Sequence, residues 1–378
     1  MTRLLHSLSS LTVLALAVTL ITAAPAEAKH GWSLAGHLVT AVGPGNAFAL
    51  SDGRVVSVGM TGDDEDWDWP AATQTWSASS NAWTQAASKP ALPNIYEAVA
   101  IMLDDGRILV TGLCRKDCAG ASNTELYDPA RDSWSMPGQM KAGRYLHAAV
   151  KLSDGRVLIL GGCTTYHCVR GTTRVEVFDP RTDTFTQAAP MLVHRVCFTA
   201  TLLADGRVLV AGGYNTEGVL ADNETYDPAS DRWTKNAPMK SPHVGQVAVL
   251  LHDERVLVAG GDCVPALPCS AADLFDPLIG KWKAAGPLLQ PRDKFAGVTL
   301  KDGRVLVAGG LSYFGNLWKD LETAELFDPA HDKFVQAKSM AHQRGGLSLA
   351  LLPDGRAMAV GGDAWLDEDP GTAELYTP

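Results

Sequence analysis

The chain lacks most of what the common function classes require. Its longest apolar run, Leu11–Ile21, is too short to span a bilayer comfortably, so membrane insertion is not expected. No excess of positive charge is present: 32 Lys and Arg stand against 42 Asp and Glu, for a net charge of -10. That balance excludes binding to nucleic acid through a basic footprint. Long amphipathic helices and appended domains are missing, so any partner must dock on the main body of the fold. No glycine-rich phosphate loop follows a strand and opens a helix. No compact nucleophile, base and orienter set is visible either, so no catalytic residue is assigned.

Cysteine is scarce as well, at seven residues, yet six fall into local pairs: Cys114 with Cys118, Cys163 with Cys168, and Cys263 with Cys269. The compartment decides how such pairs are read. Arg3, the apolar run after it and Ala26-Glu27-Ala28 have the layout of a secretory signal peptide over residues 1–28, with the mature chain starting at Lys29. A secreted or periplasmic protein is therefore expected, and in an oxidising compartment the three pairs read as loop-closing disulfides. Gaps of three, four and five residues also suit zinc less well than Cys-x-x-Cys. Cys197 is left over inside the apolar run 196–203 and reads as a small packing residue. Asn223-Glu224-Thr225 would matter as a glycan acceptor only in a eukaryotic secretory host.

What the chain has in abundance is repetition. Asp-Gly-Arg, or a close variant, followed by a branched apolar run begins at Asp52, Asp105, Asp154, Asp205, Asp253, Asp302 and Asp354. A period near fifty residues signals a solenoid or a propeller. Each repeat reads as four short strands, a to d. Asp-Gly forms the tight a–b turn, because glycine takes positive φ without penalty. Asp-Pro ends strand c, because proline cannot donate to the ladder. A Gly-Gly pair after strand b permits close backbone approach.

These residues resemble the kelch repeat. The carriers are the Gly-Gly pair and the Glu/Asp-x-Tyr/Phe-Asp-Pro stretch with an aromatic about five residues on. The copies are Glu125–Pro129 with Trp134, Glu224–Pro228 with Trp233, Asp273–Pro277 with Trp282, and Glu325–Pro329 with Phe334. The likeness covers residues 29–378. It departs at Gly112-Leu113, at Asp253-Glu254-Arg255, and in the first repeat, which lacks both Gly-Gly and Asp-Pro. The resemblance implies an all-β fold, a β-propeller of four-stranded blades. The last repeat stops without a strand d, while residues 30–35 around Trp32 look like one. The N-terminal strand is thus expected to complete the seventh blade. Trp32, Trp83, Trp134, Trp233 and Trp282 then belong to the framework.

Alternating strand direction puts the a–b and c–d turns on one face and the b–c and d–a loops on the other. The irregular, loop-rich face is where recognition residues are expected. Three groups stand out there. A basic residue precedes strand a at one register in five repeats, Arg144, Arg195, His243, Arg292 and Arg344. Such a ring at the channel mouth suits an anionic ligand, and the alternative is structural pairing. Aromatic and acidic residues crowd three b–c loops: Tyr313, Phe314 and Trp318; Asp363, Trp365, Asp367, Glu368 and Asp369; and Asp63–Trp69 with Trp67 and Trp69. These suit sugar stacking, a caged cation or calcium, although the calcium pattern lacks its glycine and later glutamate. Histidines 147, 167, 194, 243 and 342 gather near the same face, and Tyr166-His167 is similar to the Tyr-His pair of copper-radical oxidases, which share a kelch-type propeller. Those enzymes also need a tyrosine crosslinked to cysteine and a second histidine, so copper, like calcium, is a minor expectation.

The leading expectation is an exported, monomeric recognition module for a glycan or a protein, with no required cofactor. The alternative is an enzyme resembling a sugar mutarotase or epimerase, with Arg195, His194, His147 and Glu97 as residues to test, or a metal-dependent carbohydrate oxidase.

Overall fold

The computed structural model describes residues 30–41, 45–60, 71–87, 98–112, 122–164, 168, 171–264, 267–314, 317–362 and 371–378. The leader expected at 1–28 lies outside them. Seven four-stranded antiparallel sheets follow one another as blades. Blade three, with strands Ala148–Lys151, Val157–Leu160, Val175–Asp179 and Thr184–Ala188, shows the common plan. Each innermost strand a touches its neighbours on both sides, and the first, Gly45–Ala49, touches the last, Ser348–Leu351. The ring is closed. No helix among the described residues is long and apolar enough to cross a membrane.

The apolar pattern follows from this stacking. Strand b, such as Val305–Ala308, is sandwiched between two blades, so all four of its side chains are buried and the run is continuous rather than alternating. The core is a set of slabs between blades, one of which joins Ala47 and Trp76 of blade one to Leu352 and Met358 of blade seven. Full burial of each such Val, Leu or Ile contributes roughly 1.5–3 kcal/mol.

Strands c and d carry a cross-strand aromatic pair in each blade, worth about 0.5–1.5 kcal/mol beyond area. Tyr127–Trp134, Phe178–Phe185, Tyr226–Trp233, Phe275–Trp282 and Phe327–Phe334 have centroids 4.9–5.0 Å apart. In blade one, Trp76 faces Trp83 in register. In blade seven the two rings come from opposite ends of the chain. Gly31–His37 pairs antiparallel with Thr372–Thr377, setting Trp32 opposite Tyr376 at 5.2 Å. The orphan N-terminal segment is thus the missing strand d.

Asp-Gly-Arg does more than turn the chain. In blade two, Asp105 accepts from the Arg107 amide at 3.0 Å and from its Nε at 2.7 Å, while Nη2 donates to Pro180 O of blade three at 2.8 Å. Arg255 reaches Pro329 O of blade six in the same way. The a–b turn of one blade is therefore tied to the Asp-Pro turn of the next. Blade five keeps its turn although Glu254 stands where glycine recurs, with φ of 68°.

The Gly-Gly pair serves two contacts. A Cβ on Gly309, where φ is +65°, would lie 2.5 Å from Arg344 O and 2.6 Å from Leu347 Cδ2 of the following blade. One on Gly310 would lie 2.5 Å from Asp293 O of its own blade. The first glycine lets blades approach, and the second lets the b–c loop lie against the entry to strand a.

Candidate functional site on the loop-rich face

The basic register is placed inside the blades rather than around an open mouth. Arg144, Arg195, Arg292 and Arg344 are fully buried, each against a buried strand-c glutamate of its own blade. The pairs are Arg144–Glu176 at 2.5 Å, Arg195–Glu224 at 3.1 Å, Arg292–Glu325 at 2.7 Å and Arg344–Glu374 at 3.2 Å. Each guanidinium also donates to the carbonyl of the first glycine of Gly-Gly, as Arg292 does to Gly309 O at 2.8 Å. Burial pushes the Arg195 and Arg292 guanidiniums down while the paired glutamates hold them up. The carboxylate also accepts backbone N–H groups of the incoming d–a loop. Glu325 takes those of Leu289 at 2.7 Å and Gln290 at 3.1 Å. The unit is a clasp that fastens each loop to the blade it enters.

Blades five and one vary the clasp. In blade five both members shorten together: His243 Nε2 lies 3.3 Å from Asp273 Oδ2, and Nδ1 lies 2.8 Å from Gly260 O. In blade one the acid becomes Gln74, which accepts from Thr40 N at 3.0 Å and donates to Thr40 O at 2.7 Å.

The other histidines are dispersed. His147 is sealed in the interface between blades two and three, with Nε2 2.8 Å from Thr111 Oγ1. Burial first, then the Arg144 charge, depress it to about 3. His342 lies 3.4 Å from Glu374 on the clasp of blade seven. His194 Nε2 is buried without a hydrogen-bond partner among the described residues.

Among the described residues, the loop-rich face presents a ridge to solvent. The b–c connections of blades four, five and six fold into small hairpins. These are Tyr214–Asn215 with Gly218–Val219, Asp262–Val264 with Leu267–Pro268, and Leu311–Phe314 with Leu317–Asp320. Adjacent hairpins touch, so the three stand in a row. Each is pinned by a backbone bridge to the entry of strand a in its own blade: Tyr214 with Val196, Asp262 with Val244, Leu311 with Asp293. Along the row Tyr214, Val264, Leu267, Tyr313, Phe314, Leu317 (73% exposed) and Trp318 (39%) face water. Tyr313 and Trp318 pack at 5.4 Å. The sequence singled out Tyr313, Phe314 and Trp318 in the loop of blade six, but not the hairpins of blades four and five, because strands of two or three residues carry no periodic signal.

Cys163–Cys168 and Cys263–Cys269 are disulfides, closing the b–c loops of blades three and five. Cys197 packs, half-buried, against the cluster of Tyr145, Cys163 and Val196. Asn223 lies buried in strand c with Nδ2 on Ala237 O, so the sequon offers no accessible amide. Trp67, Trp69, Trp365, Glu97, Cys114, Cys118, Tyr166, His167 and the acidic residues beside Trp67 and Trp365 lie outside the described residues.

The opposite face holds a cavity of about 440 Å³ between blades one and two, lined by Asp52, Arg54, Asp104, Asp105, Asp128 and Lys151. Its carboxylates are engaged in ion pairs, Asp104 with Lys151 at 2.6 Å and Asp128 with Arg131 at 2.6 Å among them.

Residues 144–192 and 195–240 match the Kelch motif. Sequence comparison with curated proteins finds no match. Among solved structures the chain is similar to a fungal alcohol oxidase, described as showing catalytic diversity among the AA5 family and in complex with copper. The TM-score is 0.73 at 18% identity, over 92% of this chain and 76% of that one. At that identity the likeness is one of fold. The described residues do not fit a copper centre of the Tyr-Cys and two-histidine kind. His147, His243 and His342 sit on separate blades, each held by its own interior partner. The single group of three described His, Cys, Asp or Glu residues near enough to share a metal is His243 with the disulfide-bonded Cys263 and Cys269. The two matched motifs, the seven sheets and the closed ring agree: the chain is a kelch-repeat β-propeller.

Proposed function

We propose that this propeller is an exported, monomeric recognition module that binds a protein partner through the hairpin ridge of blades four to six. One observation carries the reading: four aromatic and three aliphatic side chains face water side by side on hairpins anchored to the blades. An exposed row of this kind matches a binding patch better than a bare monomer surface. Tyrosine and tryptophan are the residues that dominate interface energetics. The aliphatic members favour a protein over a sugar, which uses aromatic planes and hydroxyl partners. Anchoring limits the ordering cost on binding. The enzyme alternative, a mutarotase, epimerase or carbohydrate oxidase, rests on likeness of fold, and fold alone does not carry activity.

The test is selection of peptide ligands on the immobilised protein, with a glycan array in parallel. Trp318→Ala and Tyr214→Ala are each expected to weaken a selected peptide by about tenfold or more, the scale of a hot-spot residue. Leu278→Ala, on a c–d turn of the opposite face and 85% exposed, is expected to leave binding unchanged. A ridge-dependent glycan with no ridge-dependent peptide would move the reading to carbohydrate. Ligands indifferent to both substitutions would overturn it.

A further inference from the structure

Blade five departs from its sisters at several positions that meet in space. Where blades three, four, six and seven carry a buried arginine and glutamate, it carries His243 and Asp273. Its b–c hairpin also brings Cys263 and Cys269 over that pair. A ligand atom of His243 and the two sulfurs all lie within 4.8 Å of one another. Arginine is permanently protonated and ligates nothing, whereas imidazole is the commonest metal ligand. The exchange of Arg for His therefore turns a purely structural clasp into a donor set.

We infer that, once the Cys263–Cys269 disulfide is reduced, His243 and the two cysteines form a site for one soft divalent cation of the zinc class. The inference is independent of the ridge. Two thiolates and one imidazole are a familiar zinc donor set. The surroundings supply what orients a ligating histidine: a backbone carbonyl, Gly260 O, at 2.8 Å from Nδ1, and a carboxylate, Asp273, at 3.3 Å from Nε2. Asp273 Oδ1 is buried and has no hydrogen-bond partner among the described residues. It therefore adds an uncompensated acceptor beside the site. The metal takes one ring nitrogen, and the other keeps its oxygen partner. His243 is fully buried, while both cysteines are only partly covered and within reach of a reductant.

The chemistry balances with a dithiol as reductant. The S–S bond breaks, the dithiol becomes a disulfide, and Cys263 and Cys269 leave as thiols. Binding forms two metal–sulfur bonds and releases the two thiol protons to solvent, and any proton on the ligating nitrogen leaves with them. In the oxidised protein the sulfurs are bonded to each other and the site is closed.

Blade three is an internal control, since its Cys163–Cys168 disulfide sits in the same loop of a blade whose clasp holds Arg144. Full-length protein is reduced anaerobically, loaded with zinc, passed through a desalting column with a weak chelator, and weighed by native mass spectrometry. Reduced wild type and Cys163→Ser/Cys168→Ser are expected to retain one zinc per chain, and oxidised wild type none. Cys263→Ser/Cys269→Ser is expected to lose it. The double variant His243→Arg/Asp273→Glu rebuilds the clasp of the sister blades, so it folds, and its zinc affinity is expected to fall by about 100-fold or more, at or beyond the top of the range for outer-shell changes. Cobalt(II) loading gives a second readout, thiolate charge-transfer absorption that the same two variants abolish. Zinc uptake that is absent in reduced wild type, or that persists in either blade-five variant, would overturn the assignment.

Discussion

Replacing Arg292 by Met separates the two readings of the basic register, because an anion-binding residue and a clasp residue fail differently. The substitution keeps most of the side-chain volume but removes donors to Gly309 O, Thr323 O, Thr323 Oγ1 and Glu325 Oε1. Glu325, 1% exposed, is left with the two N–H groups of Leu289 and Gln290 and no cation. Breaking a buried pair from one side costs about 3–5 kcal/mol. For a ring of roughly 350 residues unfolding as one unit, an entropy near 2.1 cal/mol/K per residue makes 4 kcal/mol a fall in Tm of about 5–6 °C. Calorimetry and urea denaturation give the number. Blade one supplies the rescue. There Gln74 holds the loop at Thr40 without an acid, and the register of the base is Val42. Arg292→Met/Glu325→Gln copies that solution and is expected to recover most of the loss. An unchanged midpoint for the single variant, or a double variant no better than the single, would refute the clasp.

Two further outcomes follow from the packing. Gly309→Ala places a methyl against Arg344 O and Leu347 at positive φ and is expected to cost about 2–4 kcal/mol in urea denaturation. Gly53→Ala, with φ of +86° but nothing within 4 Å, is expected to cost at least 1 kcal/mol less, roughly the strain of positive φ alone. For pH, burial depresses His147 to about 3 from an ordinary 6.5, so the unfolded chain binds the extra proton between those values. The stability owed to the neutral ring is complete above pH 6.5 and is lost as pH falls towards about 3. His147→Gln is expected to flatten the pH dependence of the denaturation midpoint between pH 5 and 6.5, and an unaltered slope would show that His147 does not drive it.

Much of the architecture was legible because it is periodic. The turns at Asp105 and Asp154, the buried b strands and the pairing of Trp32 with the last blade all follow from features that recur at a fixed register. The clasp was half legible. Arg292 and Glu325 each hold a constant position, and His243 shortens together with Asp273, but neither spacing tells whether a guanidinium turns into the blade or towards the axis. That choice is made by the Gly309 carbonyl, a backbone group with no side-chain signature. The ridge was least legible. Trp318 stands out by type, whereas Tyr214 and Leu267 join it only because hairpins from separate blades lie side by side, a contact about fifty residues apart that no local pattern encodes.

The pairing of Gly31–His37 with Thr372–Thr377 also sets a timetable. Trp32 is made long before Tyr376, so the strand that docks exists well before the strand that receives it. Until Tyr376 arrives, the b strand of blade seven has no strand c beside it and the first-made strand has nowhere to dock. A product cut between residues 361 and 371 therefore keeps two raw β edges, Gly31–His37 and Ala357–Val360, each open to a neighbouring chain. Closure of the ring waits on that one seam.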